Sequence, residues 1–250
     1  MHIFKLAEKS VILERLYRDC VRYVEEISLI EEECIWQNVE VYVDNLNFES
    51  FLVLREHEGI SAYMTAEDPS YIQEFADVLK AKGESQIHLQ TSAEVKPYIK
   101  RFLGGLSKTY TVRYGRADMH TFRPHCLHKK RAVRLTPENV KDLEPSASSC
   151  FIARIRTSPV YCYVDKNGRS VGISGVGFLT KRSFAISFTE TIPRYRGQGI
   201  AKCLTSMASQ PLIKMGRIGV YSADVQNEPS TRVAKALGFL PYMDLKCFHN

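Results

Sequence analysis

An α+β fold built as two tandem halves, each a mixed sheet flanked by helices, is what the sequence predicts. Three observations carry that reading. The chain has 250 residues, 44% hydrophobic and 25% charged, enough for two ordinary globular domains with a core each. Short alternating strands and periodic helical stretches interleave along it, and the rhythm of strands followed by helix–strand–helix–strand occurs twice. The charge also divides: residues 1–115 carry 13 Lys+Arg and 19 Asp+Glu, a balance of −6, whereas residues 116–250 carry 21 and 9, a balance of +12. An anionic partner is expected to meet the second half. The divisions expected are a domain over 1–117, a linker over 118–130 and a second domain over 131–250.

Within the first half, residues 10–33 read as one amphipathic helix, with Leu13, Leu16, Tyr17, Cys20, Val24, Ile27 and Ile30 on a stripe. "VEVYVDN" (39–45) and "SFLVLREHEG" (50–59) read as strands. "DPSYIQEFADVLKAKG" is a punctuated helix: Asp68 caps it, Pro69 opens it and Gly83 lies beyond its end. A strand "QIHLQT", a helix "SAEVKPYIKRFLG" and a strand "KTYTVRYG" follow. His57 and His88 have no evident chemical partners and read as structural.

Residues 118–130, "DMHTFRPHCLHKK", break the pattern. His120, His125, Cys126 and His128 raise the question of a metal. The flanking Arg123, Lys129 and Lys130, and the lack of a second ligand pair at a recognisable spacing, argue against one. No metal is expected, and the segment reads as a basic connection.

From 131 the elements resume: strand "RAVRLT", helices "PENVKDLEP" and "SSCFIARIR", then strands "VYCYVDKNG", "SVGISGVGFL" and "SFAISFTET". A glycine-rich stretch leads into a helix ending near Met215, followed by strand "IGVYSAD", helix "EPSTRVAKALG" and strand "LPYMDLKCF". The order implies an antiparallel meander and then a βαβ crossover.

The glycine-rich stretch, "RYRGQGIAKCL" (194–204), holds Gly197 and Gly199 among Arg194, Arg196 and Lys202. A helix N-terminus offers unpaired N–H groups and the positive end of the helix dipole, and glycine lets a phosphate approach the backbone closely. A diphosphate cradle therefore fits the stretch. It is neither a Walker loop nor the dinucleotide fingerprint, since neither spacing is met.

"TIPRYRGQGIAKCL", followed downstream by "NEPSTRVAKALGF", resembles the GNAT superfamily of acyl-CoA-dependent N-acyltransferases over about residues 131–250. The family's Gln/Arg-x-x-Gly-x-Gly/Ala signature is met by Arg196, Gly199 and Ala201, with Pro193 in its habitual place. The register Arg194, Gly197, Gly199 also satisfies the spacing. The family's second motif is met by Asn227, Ser230, Gly238 and Phe239. "VEVYVDNLNFESFLVL" loosely resembles the degenerate N-terminal half of glycine N-acyltransferase-like proteins, a half that would cover the cleft and help shape the acceptor pocket.

The resemblance implies acetyl-CoA or another acyl-CoA as co-substrate and a primary amine, on a small molecule or a chain terminus, as acceptor. Amides of Arg196, Gly197, Gln198, Gly199, Ile200 and Ala201 would hold the diphosphate with help from Lys202. The backbone of Thr191 and Ile192 would bond the pantetheine and polarise the thioester carbonyl, and Asn227 would contact the arm. Two positions depart from the family: Ala234 stands where a tyrosine often protonates the thiolate, and no glutamate stands near Ala185. Ser230, Glu190 and Tyr221 are the substitutes. Glu190 is the only acidic residue between Asp165 and Asp224. On a straight strand it would share a face with Ile186 and Phe188, a costly place for a carboxylate; a β-bulge would re-aim it to the cleft. A catalytically inactive CoA-binding module is the alternative.

Seven scattered cysteines without a CxxC pair point to free thiols, and the N-terminus reads as no secretory signal, so a cytoplasmic protein is expected. No run of apolar residues is long enough for a membrane span. Aromatic and basic residues do not interleave, which argues against nucleic acid. A second copy of the chain is the one protein partner considered.

Overall fold

The computed structural model describes residues 3–32, 38–44, 47–56, 60–66, 68–82, 87–91, 96–102, 108–125, 127, 129–144 and 149–249. Two compact units divide the chain. The first comprises Met1–Asp19, Glu26–Arg113 and Met243–Asn250; the second comprises Cys20–Glu25 and Tyr114–Tyr242. In this division residues 118–130 fall within the second unit, Cys20–Glu25 join it, and the last residues of the chain return to the first.

In the first unit the strands are β1 (Phe4–Lys5), β2 (Val39–Val43), β3 (Phe51–Glu56), β4 (Ile60–Thr65), β5 (Ile87–Thr91) and the end of β12 (Leu240–His249), in the order β1-β2-β3-β4-β5-β12. Helices α3 (Ser70–Ala81) and α4 (Lys96–Phe102) contribute Tyr71, Ile72, Phe75, Ala76, Leu79 and Ile99 to a core completed by Leu52, Leu54, Ala62, Leu89 and Phe248. Strand β4 was not legible in the sequence: its burial pattern buries both faces, so "ISAYMT" shows no alternation. The long helix expected over 10–33 is also corrected. It breaks into a 3-10 turn, α1 (Leu13–Leu16), a second 3-10 turn and α2 (Val24–Glu31). Val21 and Tyr23 are buried alongside Val24 and Ile27, so burial follows no single stripe there. Gly83, His57 and the second turn residue, Asn45, lie outside the described residues.

In the second unit the order is β6-β11-β10-β9-β8-β7, with the end of β6 (Lys108–Ala117), β7 (Ala132–Arg134), β8 (Val160–Val164), β9 (Ser170–Leu179), β10 (Ser183–Thr191) and β11 (Ile218–Asp224). β7 to β10 form the antiparallel meander, and α7 (Ile200–Lys214) crosses from β10 to the parallel β11. α5 (Val140–Leu143) and α6 (Ser149–Thr157) precede the meander, and α8 (Glu228–Ala236) follows β11. One core joins Phe184, Ile186, Ala208, Leu212, Ile213, Tyr221, Leu237 and Phe239; another joins Val140, Ile155, Val160 and Cys162 to Phe151 and Phe188.

The segment after β6 is anchored to this unit. Phe122 meets Phe239 edge-on at 6.1 Å, the Arg123 amide donates to Leu237 O, and the His125 amide donates to Ser206 Oγ at 2.8 Å. A Cβ at Gly238 would run into the Thr121 carbonyl, so the glycine is needed for this docking. Cys126 and His128 of the expected cluster lie outside the described residues, and no group of metal-ligating side chains occurs among the described ones. Nor is any described helix long and apolar enough to cross a membrane.

Candidate active site

β10 and β11 pair only from Ser183↔Ile218 to Ile186↔Tyr221, and both then run on without pairing to each other. The register of β10 against β9 shifts on both sides of Ile186, leaving Gly177 and Ser187 as extra residues. This bulge reverses the alternation of side chains. Ile186 packs in the core with α7, and Thr189 reaches Thr205 of α7. Phe188 lies on the opposite face, against Phe151 at 5.7 Å. Glu190 follows Phe188 in parity and is exposed. The costly burial expected on a straight strand does not arise, because the bulge turns the carboxylate out.

Beyond the strand, Pro193–Tyr195 form a 3-10 turn held by Tyr195, whose hydroxyl donates to Asp165 Oδ2 at 3.0 Å. Gly197 and Gly199 adopt φ of 78° and 81°, left-handed values that strain any residue with a Cβ. α7 begins at Ile200, and its first helical backbone bond is from the Cys203 amide to Gly199 O. The amides of Gly197, Gln198, Gly199, Ile200, Ala201 and Lys202 make no hydrogen bond to any described residue. Such a run of unbonded N–H groups at one helix start is an anion site in waiting.

Arg196 departs from expectation: its amide donates to Pro193 O, and its Nε donates to Thr191 O at 2.9 Å. It braces the turn, so the free amides start one residue later. Ile192 departs too, because its amide is bonded to Val171 O, where pairing with β9 runs past the end of β10. By the alternation of an antiparallel pair, the backbone groups of Thr189 and Thr191 point to the side that β11 has left. Lys202 leans over the turn, its Cε 4.0 Å from the Cβ position of Gly199, and His125 Nε2 stands 3.4 Å from the same point.

Two of the three catalytic candidates converge. Tyr221, the last residue of β11 paired with β10, is buried, and burial raises its pKa, while the nearby side chains of Thr189 and Ser230 pull it partly back. Ser230 lies in the first turn of α8, which Asn227 caps by accepting the Ser230 amide at 3.2 Å. The side chain that caps α8 is thus that of Asn227, which leaves the Ser230 hydroxyl for other contacts. Thr189, which sequence reading passed over, joins Tyr221 to a buried hydroxyl cluster: Ser174 Oγ lies 2.9 Å from both Thr189 Oγ1 and Thr205 Oγ1. Its only sequence signal is a hydroxyl residue next to Glu190. Ala185 and Ala234 pack without polar function, Ala185 buried and Ala234 against the core.

The chain matches no protein-family model and no curated protein. Solved structures do match along its whole length. A Drosophila protein superposes with a TM-score of 0.75 at 11% identity, covering 99% of this chain and 97% of its own. A GCN5-related N-acetyltransferase-like protein from Streptococcus suis gives 0.66 at 18% identity, with 97% and 98% covered. A tandem GNAT protein from the clavulanic acid biosynthesis pathway gives 0.56 at 13% identity, with 99% and 97% covered. The chain therefore has the fold that these GNAT structures share, along the length of a tandem one.

Proposed function

We infer that the protein is an acyl-CoA-dependent N-acyltransferase, acetyl being the simplest group it would carry, acting on a primary amine of a small molecule or a chain terminus. The observation that carries this reading is the run of free amides from Gly197 to Lys202, set at the point where β10 and β11 part. A diphosphate at those amides would lay the pantetheine along the vacated edge of β10, beside Asn227. There the Thr189 and Thr191 amides are candidate donors to the thioester carbonyl, stronger for the oxyanion of the tetrahedral intermediate than for the ground state.

The amine nitrogen attacks that carbonyl carbon, the C–S bond breaks as the intermediate collapses, and the thiolate takes up a proton. Tyr221, kept protonated by burial, is the proposed donor, with Ser230 beside it. Glu190, exposed on the other face of β10, is the proposed acceptor of the amine's proton, directly or through water. A cytoplasmic place is part of this reading, on the ground that seven scattered cysteines form no CxxC pair.

Addition of acetyl-CoA is expected to raise the melting temperature of the full chain, and thiol release is expected with at least one member of an amine panel. Absence of any thermal response at millimolar acetyl-CoA would refute the reading. A thermal response without thiol release would favour an inactive CoA-binding module, for which Ala185 and Ala234 speak.

A further inference from the structure

The second unit carries most of the chain's positive charge, and part of it is gathered beside the cradle. Lys129–Arg131 form a 3-10 turn of three consecutive cations, all exposed. The chain is fixed on both sides of this turn by residues that touch the start of α7. His125 Nε2 stands 3.4 Å from the Cβ position of Gly199. Ala132 packs in the cluster that holds Ile200, the first residue of α7, and Tyr195 of the preceding turn. Arg131 adjoins Ala132, a single step of about 3.8 Å between Cα atoms, so the basic turn stands next to the cluster that holds the first residue of α7.

None of Lys129, Lys130 and Arg131 makes an ion pair among the described residues. Three adjacent like charges repel one another and gain nothing from the fold that holds them, and their separation is inside the screening length of physiological salt, about 8 Å. A diphosphate is already served by six amides. The turn therefore has capacity for a further anionic group on the same ligand, one that lies outside the cradle.

We propose that the Lys129–Arg131 turn binds a third phosphate of the nucleotide ligand, the 3′-phosphate of an acyl-CoA, and thereby makes the site select CoA over its 3′-dephospho form. The inference rests on the acyl-CoA reading above and adds which part of the ligand is recognised and by what. A phosphate monoester brings close to two negative charges and three acceptor oxygens, matched to lysine ammonium and arginine guanidinium donors. His125 takes no part in this contact; it and Ala132 fix where the turn stands.

The test is a titration of the full chain by calorimetry with CoA and with 3′-dephospho-CoA, at low and high salt, in the unsubstituted protein and in a Lys129→Ala/Lys130→Ala/Arg131→Ala variant. CoA is expected to bind about tenfold to a hundredfold more tightly than the dephospho form, the range that charge-assisted contacts supply. The preference is expected to shrink as salt rises and to vanish in the variant, which should still bind dephospho-CoA as the parent does. Equal binding of both ligands by the parent overturns the proposal and leaves the acyl-CoA reading intact. A variant that keeps the preference overturns the assignment to this turn. Binding of neither ligand overturns the proposal together with the reading beneath it.

Discussion

The chain contains one crossover twice, and among the described residues the two copies differ at the start of the crossing helix. In the first unit β4 pairs in parallel with β5 through four residue pairs, Ile60↔Ile87 to Tyr63↔Gln90, and α3 makes the crossing. In the second, β10 and β11 pair through four, and α7 crosses. The loops into the two helices differ in every respect that matters to an anion. At α3 the Asp68 carboxylate accepts the Ser70 amide at 2.8 Å, the Tyr71 amide donates to Asp68 O, the Ile72 amide to Pro69 O, and Pro69 has no N–H to offer. The helix start is closed by its own sequence and carries a negative charge besides. At α7 two left-handed glycines stand in place of the aspartate and proline, and six amides are left open. A repeated frame does not repeat the helix start; the residues between strand and helix, four before α3 and eight before α7, decide it.

The largest effect should come from closing the open copy. Gly199→Val places a β-branched side chain at φ of 81° and a Cβ in the space the phosphate needs. All thermal response to acetyl-CoA is expected to disappear. Gly199→Asn, which tolerates the left-handed region, is expected to keep the fold and lose about tenfold in affinity, or 1.4 kcal/mol. Retention of full CoA affinity in Gly199→Val would break the comparison at its root.

Next in size is Tyr221→Phe. Removing one hydroxyl from a buried aromatic is expected to leave CoA binding unchanged and to lower thiol release about 10²-fold or more, the usual scale for a general acid. Burial raises the pKa of Tyr221 above its ordinary value, so loss of rate from its ionisation should set in at a higher pH than for an exposed tyrosine. A smaller change is expected at the closed copy. Asp68→Ala removes the carboxylate that accepts the Ser70 amide and should lower the melting temperature slightly without altering the response to CoA. If Asp68→Ala changed CoA affinity, the closed copy would not be the bystander described here.

Most of the second half was legible because its signals are local. The bounds of β9, β10 and β11 follow from alternation and punctuation, and the cradle follows from two glycines ahead of an apolar helical run. What was not legible depends on contacts between distant residues. Thr189 matters through Ser174 and Thr205, 15 and 16 positions away, and through Tyr221. The bulge that turns Glu190 outward was foreseen only as an option, since no residue between Phe184 and Glu190 announces it. The docking of residues 118–125 was hidden for the same reason: Gly238 and Leu237, over a hundred residues on, make room for it and bond it. Strand β4 escaped because a strand buried on both faces has no period to read.

The smallest effect tests whether the halves also differ in what holds them at low pH. In the first unit Lys82 Nζ bridges Glu40 Oε2 at 2.9 Å and Glu56 Oε1 at 2.7 Å, while Lys5 and the Tyr42 hydroxyl reach Glu40 as well. Burial alone would raise the pKa of Glu40, but the hydrogen bonds from Lys5, Lys82 and Tyr42 outweigh it and lower it from 4.5 to about 2. The folded carboxyl thus binds a proton less readily than the unfolded one. Its contribution is complete above pH 4.5 and is lost as the pH falls towards 2. The groups are partly exposed, so solvent screening keeps the contribution to about 0.5–1 kcal/mol, or roughly 1–4 °C in a chain of this size. Glu40→Gln is expected to lower the melting temperature by that amount at pH 7 and by progressively less between pH 4.5 and 2. Hydrogen exchange should place the loss in β2, β3 and the end of α3, with the cradle and α7 unaffected. A gap between Glu40→Gln and the parent that stays constant with pH would mean the carboxylate is not held in its charged form, and the contrast between an ion-paired first unit and a hydroxyl-bonded second one would fail.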